Sequence, residues 1–147
     1  MKNLTLTLLL MLFVSITYAQ NAQDKEGVAR ACQDYLDGFY KGDTTKIINS
    51  IKPSLNKLGY WKNKETGAYE SDGYMTFDQA KNYSKHVFET KRFPKEGAPQ
   101  KVEVLDIMNT IASAKVTAWW GTDYILLSKN NGKWMIEQVL WEGPLQE

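Results

Sequence analysis

Residues Gly121–Gly143, GTDYILLSKNNGKWMIEQVLWEG, hold two apolar runs rich in β-branched and aromatic residues on either side of Asn130-Asn131-Gly132. An Asn-Gly pair supplies the left-handed backbone that a tight hairpin turn requires, so this segment reads as two long antiparallel strands. Side chains alternate along a strand, which places Trp134, Ile136, Gln138 and Leu140 on one face and Met135, Glu137, Val139 and Trp141 on the other. Both faces are then apolar, and such a sheet needs two covers. Helices can supply one. Large exposed apolar patches mark interfaces, and the simplest second cover is another copy of the same sheet. The expectation is a homodimer through the sheet face, with Trp120, Met135, Val139 and Trp141 at the contact.

Upstream, Val102–Met108 and Ile111–Trp120 have the same strand character, which makes residues 101–142 an antiparallel meander of four strands. Before it the period is helical. Val28, Cys32, Tyr35, Leu36, Phe39 and Tyr40 recur at helix spacing over residues 24–42, with Gly42 placed to end the helix. A second helix is predicted over 44–55, capped by Asp43 or Thr44, buried through Ile47, Ile48, Ile51 and Leu55 and interrupted near Pro53. A third, over 76–89, opens on the capping box Thr76…Gln79 and buries Ala80, Tyr83, Val87 and Phe88. Residues 59–74, with three glycines among charged and aromatic residues, read as a loop or an irregular hairpin. Helices followed by strands make an α+β domain in which helices cover one face of a strongly bent sheet.

The chain starts with Lys2, an apolar run from Leu4 to Ile16, and Thr17-Tyr18-Ala19, the pattern of a cleavable signal peptide cut after Ala19. The run is shorter than the roughly 20 residues of a membrane span. The expectation is a single domain over 20–147, secreted or periplasmic. The whole chain carries 18 Lys and Arg against 17 Asp and Glu, and loss of Lys2 with the leader balances them. That balance excludes a nucleic-acid binder that works through a basic surface. One cysteine, Cys32, and one histidine, His86, provide neither an internal disulfide nor a structural zinc site, and no metal or cofactor is expected.

The succession of a long helix ending in YLDGFYKGD, a short helix leading to IKPSL, a third helix, and then KVEVLDI, AKVTAW and DYILLSKNNGKWMIEQVLW resembles the putative lumazine-binding family of the nuclear-transport-factor-2-like superfamily, which includes SnoaL-like proteins. The resemblance runs from about Lys25 to Trp141 and is most specific in GFYKGD and LLSKNNGKWMIEQVLW. It implies a cone: a strongly curved antiparallel sheet, cystatin-like, wrapped around about three N-terminal helices. It also implies frequent dimerisation through the sheet. Lys52 stands where similar proteins often carry a histidine. The superfamily holds isomerases, dehydratases and cyclases beside members without known chemistry, so the site must be argued from residues.

A cone leaves a cavity at its open end. Tyr35, Tyr60, Trp61, Trp119, Tyr124 and Trp134 are the aromatics that could line it for a flat or apolar ligand, and otherwise they are core. Gln138, on the face of Trp134 and Ile136, is expected to point inward. Two groups could act as a base. His86 on the third helix is expected at its surface or boundary, and Asp123, close to Gly121, is expected to be solvated near a turn, although a buried carboxylate there could move protons. Cys32 lies on the core stripe and reads as a small buried hydrophobe. Three functions remain: a dimeric small-ligand-binding or accessory protein, a cofactor-independent isomerase, cyclase or dehydratase, and an interaction domain with a filled core.

Overall fold

The structure is a computed structural model that describes the backbone of residues 2–144 and the side chains of residues 22–144; the expected leader and its cut after Ala19 lie outside the residues whose side chains are described. Three helices and six strands follow in the order α1 (Lys2–Lys41), α2 (Thr44–Ser50), β1 (Ile51–Lys62), β2 (Tyr69–Met75), α3 (Phe77–Thr90), β3 (Lys101–Ile107), β4 (Ile111–Ala118), β5 (Gly121–Asn130) and β6 (Lys133–Glu142). The strands form one sheet in the order β2-β1-β6-β5-β4-β3. Among the described residues no helix is long and apolar enough to cross a membrane.

The four-strand meander forms as its residues dictate, with Asn131 (φ 50°) and Gly132 (φ 78°) making the left-handed turn between β5 and β6. The second helix is shorter than its apolar spacing suggests. It is capped by Asp43, whose side chain accepts from the Thr45 and Lys46 amides, and it ends at Ser50, so the expected helix over 44–55 is corrected from Ile51 onward. Ile51 and Asn56–Tyr60 instead pair with β6 in parallel, the one parallel pair of the sheet. Pro53 falls in the unpaired stretch between those contacts, where its missing amide hydrogen breaks no ladder bond. Residues 59–75 resolve into the antiparallel β1–β2 hairpin.

Single extra residues bend this sheet around α1: Asp72 in β2, Leu105 in β3 and Glu137 in β6 each stand unpaired between neighbours that pair. The bulge at Glu137 has the largest consequence. A one-residue slip moves every later side chain to the opposite face. Trp134 and Ile136 face the helices as expected, but beyond the bulge Val139 and Trp141 take that inner face while Gln138 and Leu140 are exposed outside. Glu137 itself accepts from Lys52 Nζ and Ser128 Oγ, both at 2.5 Å, and from Ser54 Oγ at 3.2 Å, fixing the bulge to β5 and to the irregular part of β1.

The core lies between α1 and the inner sheet face. Val28, Ala31, Cys32, Tyr35, Leu36, Phe39 and Tyr40 of α1 are buried against Ala112, Ala114, Val116, Ile125, Leu127, Trp134, Ile136 and Val139. α3 packs through Ala80, Ser84 and Val87, with Ser84 Oγ donating to the Gly38 carbonyl at 2.7 Å. Tyr83 and Phe88, expected on its buried side, are exposed, and so is Ile48 on α2.

Candidate functional site

Alternation on β1 puts Leu55, Lys57 and Gly59 on the inner face, and alternation on β5 does the same for Gly121, Asp123, Ile125 and Leu127. Two opposite charges are thereby carried into the core, where the helical stripe of α1 delivers Tyr35 between them. Lys57 Nζ donates to the Tyr35 hydroxyl oxygen at 2.8 Å, and that hydroxyl donates to Asp123 Oδ2 at 2.7 Å. Trp120, in the two-residue turn between β4 and β5, donates its indole N–H to Asp123 Oδ1 at 2.9 Å. Lys57 Nζ is 3.7 Å from that same oxygen. Tyr35 and Asp123 are fully buried and Lys57 is 6% exposed, so this ion pair is withdrawn from water and depends on its hydrogen bonds.

Burial, seconded by the Asp123 charge and hydrogen bond, pushes the Tyr35 hydroxyl well above its ordinary pKa, and it stays protonated at neutral pH. Burial also lowers the pKa of the Lys57 ammonium, against the opposing pull of Asp123 and Asp72. Cys32 is pushed up to about 12 by burial, with Asp123 adding to it, and is an inert thiol in the core.

In front of Lys57 opens a cavity of about 660 Å³, within the range of about 300–1,000 Å³ usual for small-molecule sites. Tyr35 and Lys57 form part of its wall, together with Phe39, Trp61, Tyr83, Trp119, Trp120 and Trp141. Asp72, from the β2 bulge, and Gln79, from the first turn of α3, add polar groups. Asp123 is not on the wall and stands behind Tyr35 and Trp120. The aromatic rings meet edge to face: Trp120 with Tyr35, Phe39 and Tyr40, and Trp119 with Trp120, at centroid distances of 5.7–6.2 Å. Lys57 Nζ lies 5.4 Å from the Trp141 ring centroid. That ring can sit there because its strand neighbour is Gly59, where a Cβ would come within 1.9 Å of the indole. The Tyr40 hydroxyl fixes the tryptophan turn by accepting the Trp119 amide at 2.9 Å and donating to the Pro99 carbonyl.

Among the residues expected at a site, Tyr35, Trp61 and Trp119 line this cavity. The others do not. Tyr60 is outside it, and Tyr124 and Gln138 are exposed on the outer sheet face, Gln138 because the Glu137 bulge reverses its direction. Trp134 is a core wedge against the middle of α1, with its indole N–H donating to Asp24 Oδ1 at 3.0 Å. His86 is exposed on α3 and is not on the cavity wall. Asp123 is buried rather than solvated, because Gly121 (φ 134°) makes the turn and leaves Asp123 inside the strand. Trp120, Val139 and Trp141, expected at a dimer contact, face inward; of that group only Met135 faces outward, beside Ser128. The residue that sequence reasoning missed is Lys57. Its signal is its odd-numbered spacing with Leu55 and Gly59, visible once residues 51–62 are read as a strand.

Residues 23–142 match the family described as putative lumazine-binding. No curated protein matches the sequence. Several solved structures share the fold. A nuclear-transport-factor-2-like protein of unknown function from Shewanella baltica OS155 superposes with a TM-score of 0.62 at 19% identity, covering 85% of this chain and 97% of its own. One from Silicibacter pomeroyi DSS-3 gives 0.61 at 13% identity, covering 85% and 96%. Another from Methylobacillus flagellatus KT gives 0.60 at 18%, covering 83% and 93%. These likenesses, at 13–19% identity, establish the architecture alone. A buried cation with a donor to spare and a wall of aromatic rings can hold a flat molecule and bond to an acceptor at its inner edge.

Proposed function

The chain belongs to the putative lumazine-binding family of nuclear-transport-factor-2-like proteins, and from that membership and its cavity we propose that it binds a small, flat aromatic or apolar ligand carrying a carbonyl or similar acceptor. The observation that carries this reading is Lys57, an amine facing an aromatic cavity while its counter-charge Asp123 is turned away behind Tyr35 and Trp120. An ammonium has three donors; one goes to Tyr35, one leans toward Asp123, and the remainder is available to a ligand. The Lys57–Asp123 pair is neutral as a unit, so a neutral ligand with an acceptor adds no uncompensated charge to a buried site, whereas a second anion would. Lumazine, the flat dione in the family's name, has this shape and these acceptors.

Two further aspects belong to the same reading. Export to the periplasm or medium is supported by Lys2, the apolar run from Leu4 to Ile16 and the small residue Ala19. Association with a second copy is supported by the outer sheet face, where Leu105, Ile111, Tyr124, Leu126 and Leu140 are each at least half exposed, an apolar surface of the kind that marks interfaces.

The test is quenching of tryptophan fluorescence, since Trp61, Trp119, Trp120 and Trp141 all face the cavity. Lumazine is expected to quench saturably, and Lys57→Met is expected to weaken that binding more than it weakens binding of naphthalene, which has no acceptor. Quenching that is linear in lumazine and insensitive to Lys57 would overturn the reading.

A further inference from the structure

The atoms at the cavity floor form a connected path for a proton. Lys57 Nζ donates to the Tyr35 oxygen at 2.8 Å, and Tyr35 donates onward to Asp123 Oδ2 at 2.7 Å. A shift of one proton along each bond leaves Lys57 as a free amine on the cavity wall and Asp123 protonated behind it. A buried lysine in apolar surroundings is the group that condenses with carbonyl compounds, because desolvation disfavours its charged form. Burial acts in that direction on Lys57. The aromatic wall and the volume in front of the amine admit a ring-bearing carbonyl compound, and none of the other polar groups on the wall would be consumed by the reaction.

From this geometry we infer that Lys57 forms a reversible imine with aromatic or apolar aldehydes and ketones that enter the cavity, Tyr35 and Asp123 carrying its proton. The inference rests on the cavity being the ligand site. The Lys57 ammonium passes a proton through Tyr35 to Asp123, and the resulting amine attacks the carbonyl carbon. The nitrogen–carbon bond forms while the carbon–oxygen π pair moves to oxygen; one proton moves from nitrogen to that oxygen, giving a neutral carbinolamine. The proton stored on Asp123 returns through Tyr35 to the carbinolamine hydroxyl, the carbon–oxygen bond breaks, and water leaves by the open mouth of the cavity. The product is an iminium cation facing the Asp123 carboxylate, so the buried charge pair is the same at the end as at the start. Nothing is oxidised or reduced.

The experiment uses benzaldehyde with sodium cyanoborohydride, which reduces an iminium to a stable benzylamine, followed by peptide mapping of the intact, folded protein and a parallel fluorescence titration with benzaldehyde alone. Lys57 is expected to be benzylated first, while the exposed lysines remain mostly unlabelled. Lys57→Arg is expected to lose the adduct while retaining the charge and the fold. Asp123→Asn removes both the proton acceptor and the charge that favours the Lys57 ammonium, and is expected to change the pH profile of labelling while saturable quenching persists. Labelling spread over the exposed lysines with Lys57 untouched would overturn the inference. If benzaldehyde still quenches saturably in that case, the cavity remains a binding site and only the imine falls; if it does not, both fall.

Discussion

At the scale of single residues the molecule is organised around a lysine and an aspartate that the fold had to bury. Their ion pair offsets its desolvation only because Tyr35 and Trp120 satisfy the remaining lone pairs of Asp123. Lys57→Met removes the cation and leaves the carboxylate buried without a charged partner, and is expected to cost about 3–5 kcal/mol in urea unfolding. Gly59→Ala tests packing instead of charge. Its Cβ would overlap the Trp141 ring, so the indole must leave the cavity wall, with an expected loss of about 1–3 kcal/mol and of ligand quenching together. Asp123 also shows how a sequence can point two ways. Its neighbour Gly121 suggests a solvated turn, and only the hairpin register, with Ala118 opposite Gly121, places the carboxylate two residues inside the strand.

At the scale of elements the meander, the third helix, the first helix from residue 24 onward and the β5–β6 turn were legible, because each is a local property: helical spacing on α1, the capping box of Thr76 and Gln79, and Asn131-Gly132; the continuation of α1 back to Lys2 was not. What was not legible depends on partners distant in sequence. Ile47, Ile51 and Leu55 keep helical spacing into β1, and only pairing with β6 makes a strand of residues 51–62. The Glu137 bulge is held by Ser128 across the hairpin and by Lys52 and Ser54, both far from it in sequence, and alternation alone assigns Gln138, Val139 and Trp141 to the wrong faces. The tryptophan turn depends on an equally remote contact. Tyr40→Phe is expected to cost about 1 kcal/mol by removing the bond to the Trp119 amide, and to weaken ligand quenching by loosening Trp119 and Trp120.

At the scale of the whole molecule, two of the three carboxylates held below their ordinary pKa among the described residues tie opposite parts of the fold together and contribute to its acid limit. Hydrogen bonds from Lys129 and then Trp134 hold Asp24 below its ordinary pKa, and bonds from Lys52 and then Ser128 do the same for Glu137. A depressed carboxylate stabilises the folded state fully above its unfolded pKa, near about 4, and ceases to as pH falls through its lower folded value. The urea midpoint is therefore expected to be flat near neutrality and to fall below about pH 4, and Asp24→Asn is expected to flatten part of that acid limb. The proposed association with a second copy rests on the outer sheet face. Leu126→Lys, in the middle of the exposed apolar strand positions, is expected to yield a monomer by light scattering with the fold and ligand quenching intact. A wild-type protein that is already monomeric at micromolar concentration would contradict the dimer.

The measurement that bears most directly on the central claim is an NMR titration with lumazine of protein carrying ¹³Cε-labelled lysine. The Lys57 resonance is expected to shift saturably while those of the exposed lysines stay in place. Saturable binding that leaves Lys57 unmoved would contradict that claim.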